Sequence, residues 1–311
     1  MRIGIGLGAT MGEAGSLDEM MHRVRKAEAD GFDSVWVSQI FGPDAITMLA
    51  LAGRETRRIE LGTFVVPVQP RHPAALAQQA LTATAASRGR FTLGIGLSHR
   101  IVIQNMLGLD YAHPARHMRE YLSVLMPLLA AHEVSFRGEL YSVALQLQLP
   151  TMSPPPVIVA ALGPQMLRLA GELADGTAVW MGGPKYLAET AIPTIRGAAA
   201  AVGRPAPRIV AGFPVAVTHH AAAARAAAAR VFAAYGQLPS YRAVLDIEGA
   251  ADAADIAIVG TETEVRVQVE ALAAAGVTDL SVLPFAVDED HGAQARTYRL
   301  FAGFAREGIH G

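Results

Sequence analysis

The sequence predicts an α/β fold, a (β/α)8 TIM barrel with a small surface hairpin. Short β-rich runs alternate with longer helical patterns eight times along the 311 residues. Such alternation produces parallel strands joined by right-handed crossovers, and eight units in about 300 residues suit this barrel. No linker rich in Gly, Ser or Pro divides the chain, so residues 1–311 are expected to form one domain. The alternative, a doubly wound open sheet, would need about five or six strands.

The predicted strands are short apolar runs. Parallel strands that are buried on both faces have this near-continuous apolar character. The eight runs cover residues 2–8, 33–38, 59–67, 91–96, 155–162, 176–181, 208–218 and 279–285. In a barrel their carboxyl ends meet at one face, where the functional site is expected.

Helical patterns separate these strands and carry capping signals. Ser16 with Glu19, and Thr261 with Glu264, have the spacing of capping boxes. Pro114 is expected at the first position of its helix. The predicted helices cover residues 16–31, 44–57, 73–87, 114–131, 164–174, 185–202, 220–235 and 261–276, with a last helix at the end of the chain.

Three segments depart from the alternation. Residues 134–148 alternate around Gly138 and predict the surface hairpin. A polar loop follows the fourth strand, and residues 237–257 are less regular. The loops at 96–115 and 236–258 are expected to shape the substrate pocket, because they follow the carboxyl ends of strands.

Composition excludes several classes of protein. Hydrophobic residues make up 51% and charged residues 17%, which indicates a globular chain. The net charge of −2 and scattered basic residues argue against nucleic-acid binding. No apolar run reaches the roughly 18 residues of a membrane span. The absence of cysteine excludes disulfides, thiolate zinc and a Cys nucleophile, and suits a cytoplasmic location.

A metal site is not expected either. His113 and His117 are four residues apart, but Pro114 opens a helix between them and no carboxylate has a useful spacing. His113 is therefore expected to cap that helix.

The segment RFTLGIGLSHR, residues 90–100, places two glycines at the end of the fourth strand. A dinucleotide-binding fingerprint would need a third glycine where His99 stands. In a barrel, Gly94 and Gly96 could instead leave space for a flat ligand against the backbone. The simpler explanation is that the two glycines relieve crowding inside the barrel, and the residues alone favour it.

Longer stretches carry a resemblance to a known family. Residues 71–100, 161–184, 61–67 and 31–38 resemble the signatures of the luciferase-like monooxygenase superfamily. The similarity is closest to the branch that uses the deazaflavin coenzyme F420. It implies a luciferase-like barrel, usually a homodimer, that binds F420, or alternatively FMN, at the carboxyl ends of its strands.

The resemblance also implies which residues contact the cofactor. In deazaflavin enzymes a bulge in the third strand often holds a non-prolyl cis peptide behind the ring, and the matching bond is Phe64–Val65. The alternative is an ordinary strand with Phe64 in the core. The residues implied for the ring are Gln39, Thr63, Phe64, Val65, Gly96, Leu97, Ser98 and His99.

The phosphate would be held by main-chain amides after the fifth strand. The start of a helix suits this role, because its free N–H groups and its dipole favour anions. Lys185 would either neutralise the phosphate or begin a helix. The residues implied for the phosphate are Ala161, Leu162, Gly163 and Gln165, with Gly182 and Gly183 completing the site.

The chain departs from the family after the second strand. Many relatives carry an acid followed by His there, whereas this chain has Gln39 and Ile40. Gln39 can hydrogen-bond the ring edge but cannot act as a general acid. His99 is the nearest titratable candidate and Arg100 a possible anion clamp, with Tyr111 a weaker candidate. His99 could alternatively be a hydrogen-bonded loop or helix-cap residue.

The predicted strand ends are poor in acids, which limits the chemistry. A glycosidase needs two facing carboxylates and a Schiff-base aldolase needs a buried lysine, and neither pattern is visible. An apolar, amide-rich rim suits a cofactor that brings its own reactivity. The first hypothesis is hydride transfer between C5 of F420 and an electron-poor small organic substrate with an activated C=C, C=N or C=O. The alternatives are an FMN-dependent two-component monooxygenase and a non-catalytic flavin-binding protein.

Overall fold

Eight parallel strands close into a barrel surrounded by helices, as the sequence predicts. The computed structural model describes residues 1–8 and 15–309. The strands are β1 Arg2–Leu7, β2 Ser34–Val37, β3 Glu60–Thr63, β4 Val66–Pro67, β5 Phe91–Gly96, β6 Glu133–Arg137, β7 Ser142–Gln146, β8 Val157–Ala160, β9 Gly176–Trp180, β10 Arg208–Val217, β11 Ile258–Gly260 and β12 Asp279–Pro284. The ring runs β1-β2-β3-β5-β8-β9-β10-β12 and returns to β1. The alternative of an open sheet is therefore wrong.

The predicted third strand, 59–67, is split into two pieces. β3 pairs with β2 and with the start of β5, whereas β4 pairs with the end of β5. Between the pieces, the Phe64–Val65 peptide bond is cis. The short strand β11, which the sequence does not predict, pairs with β10 outside the ring.

Helices cover the outside of the barrel. They are α1 Leu17–Asp30, α2 Ala45–Glu55, α3 Pro73–Ala86, α4 Pro114–Ala131, α5 Pro164–Leu173, α6 Pro184–Tyr186, α7 Ile192–Ala201, α8 Ala221–Val231, α9 Ala233–Gly236, α10 Pro239–Glu248, α11 Glu262–Ala275 and α12 Ala293–Glu307. Both predicted capping boxes form, at the starts of α1 and α11. None of the helices within 1–8 and 15–309 has the length and apolar character that crossing a bilayer requires.

Four helical details differ from the predictions. Residues 101–106, predicted as polar loop, form a π-helix, and α10 occupies part of the segment predicted to be irregular. The predicted helix 185–202 includes a π-helical turn at Leu187–Ala191. His113 precedes α4 but makes no side-chain cap, because its φ of 48° is left-handed, whereas a capping residue needs extended backbone.

The hairpin of β6 and β7 is held against α4 by one carboxylate. Glu120 accepts hydrogen bonds from the amides of Glu139, Leu140 and Tyr141 at 3.0, 2.8 and 3.1 Å. These three bonds fix the turn of the predicted surface hairpin to the body of the protein.

An ion cluster closes the amino-terminal end of the barrel. Arg208 Nη2 lies 2.6 Å from Asp279 Oδ1, and Arg208 Nη1 lies 2.9 Å from Glu60 Oε1. Arg2 Nη1 lies 2.5 Å from Glu60 Oε2. Above this cluster, Trp36, Ile158, Ala178 and Val210 fill the barrel interior. Because side chains fill this end of the barrel, ligands are expected at the opposite, carboxyl end.

Candidate functional site

The split third strand forms the floor of the candidate site. The Phe64 ring packs between Trp36 and Trp180, with ring centroids 6.1 and 6.4 Å apart. The Ser38 hydroxyl donates to the Phe64 carbonyl oxygen at 2.9 Å and ties the bulge to the end of β2. Phe64 therefore packs over the interior core, and Val65 lies beside it.

Close approach of this bulge explains the two glycines of β5. A Cβ atom on Gly94 would overlap the Thr63 carbonyl oxygen, and one on Gly96 would lie 2.7 Å from Val65 Cγ2. Thr63 is fully buried, and its hydroxyl donates to the Gly94 carbonyl oxygen at 2.8 Å and accepts from the Gly94 amide at 2.7 Å. The glycines thus relieve crowding in the barrel wall, as the simpler explanation requires.

Gln39 lies at the carboxyl end of β2, as predicted, but its side-chain oxygen is engaged. Oε1 accepts from the Ala45 amide at 2.7 Å, which satisfies a free N–H at the start of α2. Its amide NH2 group is left as the group that could donate to a ligand.

His99 faces an aromatic cluster that covers the carboxyl face. Its ring lies 6.5 Å from Tyr235 and 6.0 Å from Tyr241, centroid to centroid. Tyr235 also packs against Trp180 at 6.1 Å. Burial lowers the pKa of His99, so its imidazole is neutral at neutral pH and can accept a proton.

The residues beside His99 form the start of the following loop. Ser98 has a left-handed φ of 55°, and its carbonyl oxygen accepts from the Tyr111 hydroxyl at 3.2 Å. Arg100 is exposed, lies over the Tyr111 ring at 5.4 Å and donates to Gln104 at 3.1 Å. Leu97 is half-buried between β5 and this loop. The structure places Arg100 beside Tyr111.

The predicted phosphate site coincides with the start of α5. Gly163 is the residue before the helix, and no side chain within the described residues caps it. The amides of Gln165 and Met166 lie in the first turn, where a helix has no internal acceptors. No atom of the described part of the chain lies within 4 Å of the position that a Cβ atom on Gly163 would take. This helix start is open and suits an anion.

The loop after β9 lies next to the start of α5 and already makes hydrogen bonds within the protein. The Tyr186 hydroxyl donates to the Leu162 carbonyl oxygen at 2.6 Å and joins the two loops. The Tyr186 amide donates to Glu248 Oε1, and a Cβ atom on Gly183 would overlap the Glu248 carboxyl group. Gly182 is buried against Val179 and Tyr186, so it shapes the loop. Ala161 is buried, and its amide donates to the Ala178 carbonyl oxygen at 3.3 Å. Lys185 is exposed at the start of the helical segment.

Two buried polar atoms at the carboxyl ends of strands lack well-aligned partners among the described residues. They are Gln69 Oε1, just after β4, and Trp180 Nε1, at the end of β9, although the Tyr235 hydroxyl lies close to the indole nitrogen. Buried polar atoms without partners destabilise a protein, and a ligand that pairs with them removes that penalty. The pyrimidine edge of a flavin or deazaflavin offers both donors and acceptors, so these residues fit such a ring.

A metal site does not form among the described residues. Within 1–8 and 15–309, no group of three or more His, Asp or Glu side chains is arranged to hold an ion. His117 Nε2 instead lies 2.8 Å from the Tyr141 hydroxyl. The two histidines of the 113–117 pair are therefore not brought together as ligands.

The structure adds site residues that the sequence reasoning missed. Trp180, Tyr235 and Tyr241 form the aromatic cluster, and Glu248 contacts the loop after β9. The aromatic residues of 232–241 were a usable signal, because loops after strands line the functional face of a barrel. Glu248 gave no local signal, since its partner Tyr186 is 62 residues away.

Known proteins share this architecture. A coenzyme F420 dependent tetrahydromethanopterin reductase from Methanopyrus kandleri superposes with a TM-score of 0.83 at 21% identity, over 99% of each chain. The FMN-bound oxygenating constituent of 3,6-diketocamphane monooxygenase from Pseudomonas putida superposes with a TM-score of 0.75 at 18% identity, over 99% of this chain and 98% of that one. At these identities the likeness establishes the fold alone.

Sequence comparison extends the likeness to a family. A putative coenzyme F420-dependent oxidoreductase of Mycobacterium tuberculosis is 32% identical over 192 residues, which cover 57% of this chain and 55% of the relative. The family described as luciferase-like monooxygenase matches residues 1–279. Because this match includes most of the chain, with seven of the eight barrel strands and the first residue of β12, the chain belongs to the luciferase-like monooxygenase family of enzymes.

Proposed function

We propose that this protein is a coenzyme F420-dependent oxidoreductase that transfers a hydride between the deazaflavin C5 and a small organic substrate with an activated C=C, C=N or C=O. The observation that carries the proposal is the open start of α5 beside an aromatic cluster at the carboxyl face. The relative and the solved structure named for coenzyme F420 support it. Bound F420 would supply the hydride donor or acceptor.

The chain's own residues would bind and orient this cofactor. The amides of Gly163, Gln165 and Met166 would hold the phosphate, because they are donors at a helix start. The Gln39 amide group, Gln69 Oε1 and Trp180 Nε1 would pair with the ring edge. Phe64 and Val65 would form an apolar backing for the ring.

His99 would move the proton that accompanies the hydride. It is half-buried beside Tyr235 and Tyr241, and its lowered pKa keeps the imidazole neutral. A neutral imidazole accepts a proton from a substrate that is being oxidised, and its protonated form returns that proton in the reverse direction. The aromatic cluster would exclude water from this proton transfer.

Titration with cofactors tests the assignment. Fluorescence titration of the purified protein with F420 and with FMN should give micromolar or tighter affinity for F420 and weaker affinity for FMN. Preferential binding of FMN would defeat the deazaflavin assignment.

The second candidate is an FMN-dependent two-component monooxygenase. The fold shared with the FMN-bound enzyme of Pseudomonas putida favours it. Against it stands Ile40, in a position where peroxide-forming relatives are expected to carry His.

We also propose a homodimer, for which the exposed apolar side chains of Ile101, Met106 and Leu107 offer contact surface.

A further inference from the structure

Two helical segments begin side by side at the carboxyl face, after β8 and after β9. The first is α5, which follows Gly163, and the second is the continuous helical segment 184–201, which follows Gly183. The hydrogen bond from the Tyr186 hydroxyl to the Leu162 carbonyl oxygen joins them. Each start has N–H groups without acceptors inside its own helix, and such groups attract an anion.

The second of these starts already holds an anion of the protein itself. Glu248, at the end of α10, accepts the Tyr186 amide hydrogen through Oε1. Gly183 has no side chain, and a Cβ atom there would overlap the Glu248 carboxyl group. The carboxylate thus binds the loop that the family resemblance implies for the phosphate.

We propose that Glu248 is a specificity-determining residue, which reduces the binding contribution of a doubly charged phosphate at the neighbouring start of α5. This inference rests on the proposed cofactor site. The carboxylate neutralises one of the two helix starts, and its negative charge lies on the loop that the Tyr186 side chain joins to the other. A phosphomonoester, as in FMN, carries nearly two negative charges at neutral pH, whereas the phosphodiester of F420 carries one. The repulsion therefore acts most strongly on the FMN phosphate.

The test compares ligands with and without a phosphate. Riboflavin, FMN and F420 are titrated by fluorescence into the wild-type protein and into Glu248→Gln and Asp246→Asn. Glutamine keeps an acceptor for the Tyr186 amide, so the loop retains its hydrogen bond. Asp246→Asn removes an equal charge from the same helix, where Asp246 is exposed and pairs with Arg242 at 2.8 Å.

Glu248→Gln should tighten FMN binding about three- to tenfold, leave riboflavin binding unchanged, and affect F420 less than FMN. Asp246→Asn should change none of these affinities. An unchanged ratio of FMN to riboflavin affinity in Glu248→Gln, or an equal gain in Asp246→Asn, overturns the inference. The wild-type preference between F420 and FMN tests the proposed function separately, and a failure of all three ligands to bind refutes both.

Discussion

Replacing Glu60 by Gln should destabilise the protein from the end of the barrel opposite the candidate site. The Glu60 carboxylate accepts from Arg2 at 2.5 Å, from Arg208 at 2.9 Å and from the Thr92 hydroxyl at 2.7 Å. Removing one partner of a fully buried ion pair costs about 3–5 kcal/mol. The cost here is smaller, because the Glu60 side chain is 16% exposed and Arg208 keeps Asp279 as a partner. We therefore expect the free energy of unfolding to fall by about 2–4 kcal/mol.

The same cluster predicts how that difference depends on pH. Burial alone would raise the pKa of Glu60, but attraction by Arg208 and Arg2 outweighs burial and holds the pKa below its usual range. A carboxyl whose pKa is lowered by folding stabilises the protein above its unfolded pKa, and this stabilisation is lost as the pH falls through the folded pKa. The gap between the wild type and Glu60→Gln should therefore narrow in acid.

Urea denaturation at neutral and acidic pH measures both effects. Glu55→Gln is the matched control, because Glu55 and Arg25 form an exposed pair at 2.5 Å, and its loss should cost less than about 1 kcal/mol. If Glu60→Gln cost no more than this control, or if its cost did not change with pH, the ion cluster would not have the stabilising role assigned to it.

Three further substitutions probe the site and the hairpin. His99→Asn should lower turnover about 100-fold while F420 affinity is retained. The acidic limb of the wild-type pH–rate profile should lie below the usual range of His pKa values, because burial lowers the pKa of His99 and a base must be neutral to act. Equal turnover of the variant and the wild type would exclude His99 from the proton transfer. Gln69→Leu should stabilise the ligand-free protein by about 1 kcal/mol in thermal unfolding yet weaken F420 binding, because it removes a buried acceptor that has no partner within residues 1–8 and 15–309. Unchanged affinity for F420 would place Gln69 outside the site. Glu120→Gln should speed hydrogen exchange of the amides of residues 139–141 on the order of tenfold, and unaltered exchange would show that other contacts hold this turn.

The barrel could be predicted because its determinants are local. The apolar runs and capping boxes lie within short windows, and the strands and helices form where these patterns occur. Helix α10 had local signals too, namely Pro239 at its first position, Gly249 after its end, and the apolar spacing of Tyr241, Val244 and Leu245. These signals indicate a helix within the segment 237–257, which was expected to be irregular.

The remaining features depend on partners that are distant in sequence. The conformation of Phe64–Val65 was suggested only by family resemblance, and the engagement of Gln39 with the start of α2 depends on how the intervening loop turns. The contact of Glu248 with Tyr186 forms only when α10 is placed over the barrel face. Local propensity does not encode such contacts, so the positions of the candidate residues along the strands could be anticipated better than their connections.

The placement of α10 has a consequence for ligand binding. This single helix presents Tyr241 to His99 and, two turns further on, Glu248 to the Tyr186 amide. A substrate that displaced the tyrosine would also shift the carboxylate, because the backbone between them is one rigid rod. Occupancy of the ring pocket and occupancy of the anion site would then alter each other's dissociation constants by the same factor, as thermodynamic linkage requires.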